Sequence, residues 1–340
     1  MGIDSLFERL SGMGIPGVAV MLLVLAALMW FLMRGADWLV EGAAQLAYGI
    51  KIPKIIVGAT VVSLGTTTPE AAVSVVSALG GDAGLALGNA IGSVICDTGL
   101  VFGIGCLMTA LPVDRFIMNR HGWLQFGFVL LLGGLIGGAW VLGATPILSR
   151  RVGILFLFLL GGYFTISIVW AKQHPLLAEE VEARTVPIWR CCVMLLLGLA
   201  VVLISSKLIV SDVKQLCVML SIPPSIVSAT VVAFGTSLPE LVTAISSIRR
   251  GHPELLVGNI LGADILNILF VIGVSAAASP LIVPPEVLFL HVPAMVLIVG
   301  IFRIASSVSG THFNRAWGIP LLGGYIAFSV CAFIFGVRAH

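Results

Sequence analysis

Charge is what this chain has least of: Asp, Glu, Lys and Arg make up 10% of its 340 residues, against about 25% in an ordinary soluble chain. With 59% hydrophobic residues and a mean hydropathy of +1.13, too little polar surface remains to clothe a water-soluble globule. Net charge is missing too, since 18 basic residues face 16 acidic ones, which excludes the strongly basic face of a nucleic-acid binder. The six cysteines, Cys96, Cys106, Cys191, Cys192, Cys217 and Cys331, lie in or beside apolar runs without CxxC spacing. That pattern argues against a zinc or redox motif and fits small apolar packing residues. A cleavable leader is not expected either. The first fifteen residues form a short amphipathic lead-in around Glu8 and Arg9, and the apolar run after Pro16 has no small-residue cleavage site.

What the chain has in abundance is apolar length. About 20 apolar residues cross the hydrocarbon core of a bilayer, and ten stretches qualify, centred on 16–33, 55–79, 84–108, 122–144, 152–171, 188–206, 225–248, 254–278, 284–303 and 316–336. The expected fold is therefore an all-α integral membrane protein with ten transmembrane helices. Residues 35–50 and 205–220 are less apolar and read as amphipathic extensions of the first and sixth spans. A polar linker at 173–187, with Glu179, Glu180 and Glu182, separates two five-helix halves, 1–172 and 188–340.

Cytoplasmic loops retain Lys and Arg. With both termini outside, the cytoplasmic side collects Lys51, Lys54, Arg115, Arg120, Lys172, Arg184, Arg190, Arg249, Arg250, Arg303 and Arg315. The opposite side keeps Arg9, Arg150, Arg151, Lys207, Lys214 and Arg338. The bias favours N-terminus out and C-terminus out, with Arg150 and Arg151 running against it.

The halves repeat one another. KIPKIIVGATVVSLGTTTPE at 51–70 and SIPPSIVSATVVAFGTSLPE at 221–240 share 12 of 20 positions at an offset of 170, inside repeat motifs spanning about 55–105 and 225–275. The same offset carries Gly88-Asn89 onto Gly258-Asn259, Gly92 onto Gly262 and Asp97 onto Asn267. Five spans separate the copies, so the second must run through the membrane in the opposite sense, as in the inverted repeats of many secondary transporters. Packing alone would preserve an apolar pattern and has no use for a repeated acid.

Those acids are Glu70 and Glu240, each of which costs about 2.5 to 3.5 kcal/mol to place within a span and so needs a compensating role. Each follows a proline, which cannot donate to the carbonyl four residues back, at Gly65 or Gly235. Freed carbonyls at membrane depth are tolerated where they line a cavity or meet a new partner. Thr66 and Thr67 share nearly one helical face with Glu70, and Thr236 and Ser237 stand in the same relation to Glu240. On the next span Asn89, Ser93 and Asp97 stack at four-residue spacing, with Asn259, Ala263 and Asn267 as counterparts. Gly88 with Gly92 and Gly258 with Gly262 form GxxxG pairs that permit close helix approach, or act only as helix-dimer glue. Every donor is an oxygen, which suits Ca²⁺ or alkali cations over zinc or copper. About three negative charges in one low-dielectric pocket would repel one another unless cations or protons are present.

At GTTTPE, GNAIGSVICD, GTSLPE and GNILGADILN the chain resembles the paired alpha-repeats of the sodium/calcium exchangers, in the cation/calcium antiporter superfamily, prokaryotic type. The resemblance implies Ca²⁺ exported against entering Na⁺ by alternating access, in a bacterial or archaeal inner membrane. It also implies sliding of the first and sixth helices past a ligand-binding core. Matched by motif position, Glu70 and Glu240 would serve both ions, and Thr66 and Thr236 would give carbonyl oxygens to Ca²⁺. Thr67 and Ser237 would contact Na⁺, while Ser93, Asp97 and Asn267 would complete the shell. No cofactor and no obligate protein partner is implied beyond the transported ions and the lipid bilayer.

Departures from the family pattern are equally specific. The usual GSN becomes Gly92-Ser93-Val94 in one half and Gly262-Ala263-Asp264 in the other, and the Asn and Asp expected at positions 97 and 267 are exchanged. Asp264 either turns into the cavity as an extra ligand or proton acceptor, or snorkels or caps a helix break. Coupling to H⁺ in place of Na⁺, or to another cation, stays open on the same fold. An intramembrane enzyme using the Glu pair would lack a nucleophile, a metal-binding histidine and a soluble substrate domain. A passive channel fits paired broken helices less well than alternating access does. His121, His174, His252, His312 and His340 read as loop or helix-end residues, and His291 as a packing residue inside a span. Trp30, Trp38, Trp123, Trp170, Trp189 and Trp317 fit an interfacial belt. Lys207, Asp212 and Lys214 read as a solvated face or an ion entry path.

Overall fold

A computed structural model describes residues 15–173, 186–219 and 236–338. The lead-in, most of the linker and the first part of the predicted seventh span, with Gly235, lie outside the described residues. Among the described residues eleven helices follow one another: α1 (Ile15–Ile50), α2 (Lys54–Thr66), α3 (Thr68–Leu79), α4 (Ala83–Met108), α5 (Arg115–Val141), α6 (Arg150–Gln173), α7 (Ile188–Met219), α8 (Leu238–Arg249), α9 (Pro253–Ala278), α10 (Val287–Val308) and α11 (Gly318–Arg338). Among the described residues eight helices, all but α2, α3 and α8, are long and apolar enough to cross a membrane. The less apolar stretches after the first and sixth spans do continue them, giving unbroken helices of 36 and 32 residues.

Burial sorts these helices into a core and a periphery. In α9, 94% of the most apolar stretch is buried, and in α4 72%, against 17% in α1 and 11% in α11. The two central helices carry the Asn-, Ser- and Asp-bearing motifs. The peripheral ones present Trp30, Phe31, Phe158, Ile319 and similar apolar side chains outward, as a lipid-facing surface does. The main core unites Leu87, Ile91 and Phe102 of α4 with Leu256, Ile260 and Leu269 of α9 and Phe302 of α10.

Close approach in the core depends on glycine. A Cβ on Gly58 of α2 would sit 2.7 Å from the Leu255 carbonyl oxygen, and one on Gly258 or Gly262 would overlap the carbonyls of Ile55 or Ala59. The second GxxxG pair therefore seats α9 against α2 within one chain. The bland reading of those two glycines as glue between molecules is not needed.

The repeat reappears as local geometry that no residue pattern predicts. Helices α4 and α9 each turn π-helical, at Cys96–Val101 and Asn267–Ile272, and α5 and α10 do so at Met118–Gly122 and Val287–His291. Loop pairings cross between the halves as well. Ile147–Leu148, before α6, pairs antiparallel with Leu281–Ile282, after α9, with Ile147 opposite Ile282 and Leu148 opposite Leu281, while Pro112 after α4 bridges His312 before α11.

Four sequence expectations need correction. His121 is fully buried within the π turn of α5, its Nδ1 3.2 Å from the Tyr163 hydroxyl, which donates to the Ala59 carbonyl. Asp212 is fully buried too, so the expected solvated face does not include it, although Lys207 is exposed. The predicted second span is interrupted at Thr67, and the predicted fourth span, α5, begins at Arg115, several residues ahead of the expected 122.

Candidate cation-binding site

The two Pro-Glu motifs are hinges of the same shape. Thr67 has φ −81° and ψ −4°, and Ser237, 170 residues on, has φ −88° and ψ 5°, both in the bridge region between helical and extended backbone. Each hinge opens a 12-residue helix with proline in its first turn, where the missing N–H would have had no helical acceptor. Proline thus marks the start of a helix, where the sequence placed it in mid-span. Glu70 and Glu240 fall in the first turns of α3 and α8, beside backbone N–H groups whose dipoles favour a carboxylate.

Around the hinges, oxygens are buried and idle. Glu70, Asp97, Glu240 and Asn267 are each 1% exposed, and Thr66 and Thr67 are fully buried. Both carboxylate oxygens of Glu70 and Asp97, Oε2 of Glu240, Oδ1 of Asn267 and the Thr67 and Ser237 hydroxyls have no hydrogen-bond partner among the described residues. Buried polar atoms are nearly always partnered, so a cluster without partners points to a missing ligand. The acids feel one another: Glu70 interacts electrostatically with Glu240 and Asp97, and Asp97 with Glu240 and Asp264. Among the described residues no three His, Cys, Asp or Glu side chains converge tightly enough to form an all-acid metal cage. Hydroxyl, amide and carbonyl oxygens must supply the remainder of any cation shell.

The halves reach across to one another here. Thr66, from the first hinge, interacts with the carboxylate of Glu240 while its hydroxyl donates to the Val62 and Ser63 carbonyls at 3.3 Å. The Thr236 hydroxyl, from the second, donates to Asn89 Oδ1 at 3.4 Å. Asn89 in turn gives its amide N–H to the Glu70 carbonyl at 3.2 Å and to Ser74 Oγ at 2.9 Å, and Ser74 donates to the Ala86 carbonyl. Asn89 is thus a bridge from α4 to α3 whose polar atoms are engaged. Its counterpart Asn259 is 1% exposed, and neither its Oδ1 nor its Nδ2 has a partner among the described residues. One cause is visible in the sequence, where Ala244 stands at the position matching Ser74.

Ser93 is buried beside Asp97 on α4, whereas Ala263, its counterpart on α9, offers no hydroxyl. Asp264 neither snorkels nor caps: it is fully buried within α9, and its Oδ2 accepts the Thr98 hydroxyl and the Gln125 amide, each at 2.5 Å. Sequence reading passed over Gln125 and Thr98. A Gln inside the apolar run of α5 was the available signal.

With that geometry in place, likeness to known proteins becomes informative. The sodium/calcium exchanger protein family profile matches residues 20–169 and 191–334. The inner membrane protein YrbG of Escherichia coli is 31% identical, with 91% of this chain and 95% of that protein covered. The sodium/calcium exchanger MaX1 of Methanosarcina acetivorans is 27% identical over 93% and 99% of the two chains. Among solved structures, the sodium-calcium exchanger NCX_Mj superposes with a TM-score of 0.78 at 26% identity, covering 91% of this chain and 98% of that one. The match runs through both hinges and both central helices, and on it the chain belongs to the sodium/calcium exchanger family.

Proposed function

We propose that this protein exchanges Na⁺ for Ca²⁺ across a prokaryotic inner membrane by alternating access. Family membership makes it a cation/calcium antiporter and not an enzyme. The ion pair and the mechanism are the further step. The observation that carries it is the set of idle buried oxygens at two matching hinges, on Glu70, Thr67, Glu240 and Ser237, facing Asp97. One carboxylate from each half with hydroxyl and amide oxygens between them gives the hard shell Ca²⁺ prefers. Several monovalent ions can occupy the same oxygens in its place, so the two cargoes compete.

In this reading the chain has ten spans in two inverted five-helix repeats, with both termini outside. The π turns recurring at matching places and the loop pairings exchanged between halves support it. Thr66, Thr67, Glu70, Ser93 and Asp97 serve from the first repeat, and Thr236, Ser237, Glu240 and Asn267 from the second. Glu70, Glu240, Thr66 and Thr236 hold Ca²⁺. Asn89 positions the Glu70 hinge. The long helices α1 and α7 pack along one another, with Gly42 allowing the Leu195 backbone within 2.6 Å of where a Cβ would stand, so they can slide as a pair over α2 and α8.

The test is radiolabelled Ca²⁺ uptake into proteoliposomes loaded with Na⁺. An outward Na⁺ gradient should drive accumulation, and Glu70→Gln or Glu240→Gln should abolish it. Uptake driven by a pH gradient and indifferent to Na⁺ would instead establish H⁺/Ca²⁺ exchange on the same fold.

A further inference from the structure

Asp264 is an acid in one half of a two-fold design. At the offset of 170 its counterpart is Val94, and its two partners Thr98 and Gln125 correspond to Ile268 and Met295. All six side chains are fully buried. The mirror position therefore holds an apolar trio where this one joins a carboxylate, a hydroxyl and an amide drawn from both halves, on α9, α4 and α5. A fully buried Asp in a membrane span costs about 2.5 to 3.5 kcal/mol on insertion scales, and the duplicated fold manages without it at the mirror position.

The hydrogen bonds are lopsided in a telling way. Thr98 and Gln125 both donate to Oδ2. Asp264 Oδ1 and Gln125 Oε1 remain buried without a partner among the described residues. The Gln125 amide nitrogen is spent on the carboxylate, so its carbonyl oxygen lies one amide width from that contact. Thr98 follows Asp97 directly in the π turn, so the two side chains leave α4 in different directions. The Asp264 cluster therefore adjoins the central site and acts electrostatically on Asp97, yet lies on a different side of α4.

We propose that Asp264 Oδ1 and Gln125 Oε1, positioned with Thr98, form a flanking site for one monovalent alkali cation, Na⁺ under physiological conditions. A single carboxylate matches a single positive charge, while Ca²⁺ takes six to eight oxygens and finds too few here. The fourth buried carboxylate makes the loaded carrier neutral only when one more monovalent ion is aboard. The site thus sets the Na⁺ to Ca²⁺ ratio of the exchange described above and rests on that reading.

The experiment compares wild type with Asp264→Asn and Gln125→Met in two assays. The first is the Na⁺ to Ca²⁺ ratio, from reversal potentials in proteoliposomes. The second is Na⁺-dependent protection of α5 backbone amides around residue 125 in hydrogen–deuterium exchange of the purified protein. The site predicts that both variants lose one Na⁺ per Ca²⁺ and lose the protection on α5, while Na⁺ still protects α3 and α8. An unchanged ratio with unchanged protection overturns it, and so does protection that follows pH in the absence of Na⁺. Absence of Na⁺-driven Ca²⁺ transport, and of Na⁺ protection at α3 and α8, in the wild type would sink the exchange reading instead. Should Asp264→Asn fail to fold, Gln125→Met, which restores the residue of the mirror trio, carries the comparison alone.

Discussion

Asp37 of α1 holds the Arg250 guanidinium at 2.9 Å and accepts the Ser246 hydroxyl at 2.6 Å, tying a long outer helix to the end of α8. Glu41, one turn along α1, lies 4.0 Å from the same arginine and accepts from Gln45 at 3.0 Å. If α1 slides over α8 during transport, this contact must break or hold with the state.

Arg250 is about one-third exposed, so the pair contributes about 0.2–1 kcal/mol, enough to shift a two-state balance by up to about fivefold. Arg250→Gln and Asp37→Asn should each speed amide exchange along residues 30–45 of α1. The double variant should accelerate exchange by less than the sum of the two single changes, because both remove the shared Asp37–Arg250 contact. Additive acceleration in hydrogen–deuterium exchange would show that the two residues act separately.

Asn89 and Asn259 occupy matching places with unequal attachments. Removing Asn89 strands the Ser74 hydroxyl as an acceptor and leaves the Glu70 carbonyl without its amide donor, a loss of about 1–3 kcal/mol. Asn89→Ala should lower thermal stability in detergent and weaken Ca²⁺ binding through the displaced hinge. Asn259→Ala should cost less stability, having no hydrogen bond among the described residues to lose. Equal losses in unfolding scans would contradict the asymmetry.

Gly258 meets the Ile55 carbonyl with no room for a Cβ, while Gly134 on α5 has nothing within 4 Å among the described residues. Gly258→Ala should force α2 away from α9 and destabilise by about 1–3 kcal/mol or more, read as a lower yield and a lower unfolding midpoint. Gly134→Ala should be tolerated. Comparable behaviour of the two variants would argue that the helices do not pack as described.

How much of this was legible depended on the range of the signal. Glu70 and Glu240 announced themselves because a proline and an acid inside an apolar run break a local rule, and the offset of 170 repeated the breach. The α4 stripe was equally readable, since Asn89, Ser93 and Asp97 obey helical spacing. What Asp264 does was not readable, because its partner Gln125 lies 139 residues away and only packing brings them together. Burial of Asp212 and His121 escaped for the same reason, as short-range polarity resembles a helix end. The π turns at Asp97 and Asn267 left no trace either, for an extra residue in a helical turn changes geometry without changing composition.

The central claim is that Na⁺ and Ca²⁺ compete for one set of oxygens organised by Glu70 and Glu240. Equilibrium Ca²⁺ titration of the purified protein at increasing Na⁺, with K⁺ or choline holding ionic strength constant, tests it most directly. The account predicts that Ca²⁺ affinity falls steadily with Na⁺ in the wild type and that Glu70→Gln and Glu240→Gln no longer bind Ca²⁺. Ca²⁺ affinity independent of Na⁺, or unimpaired binding in both variants, would contradict it.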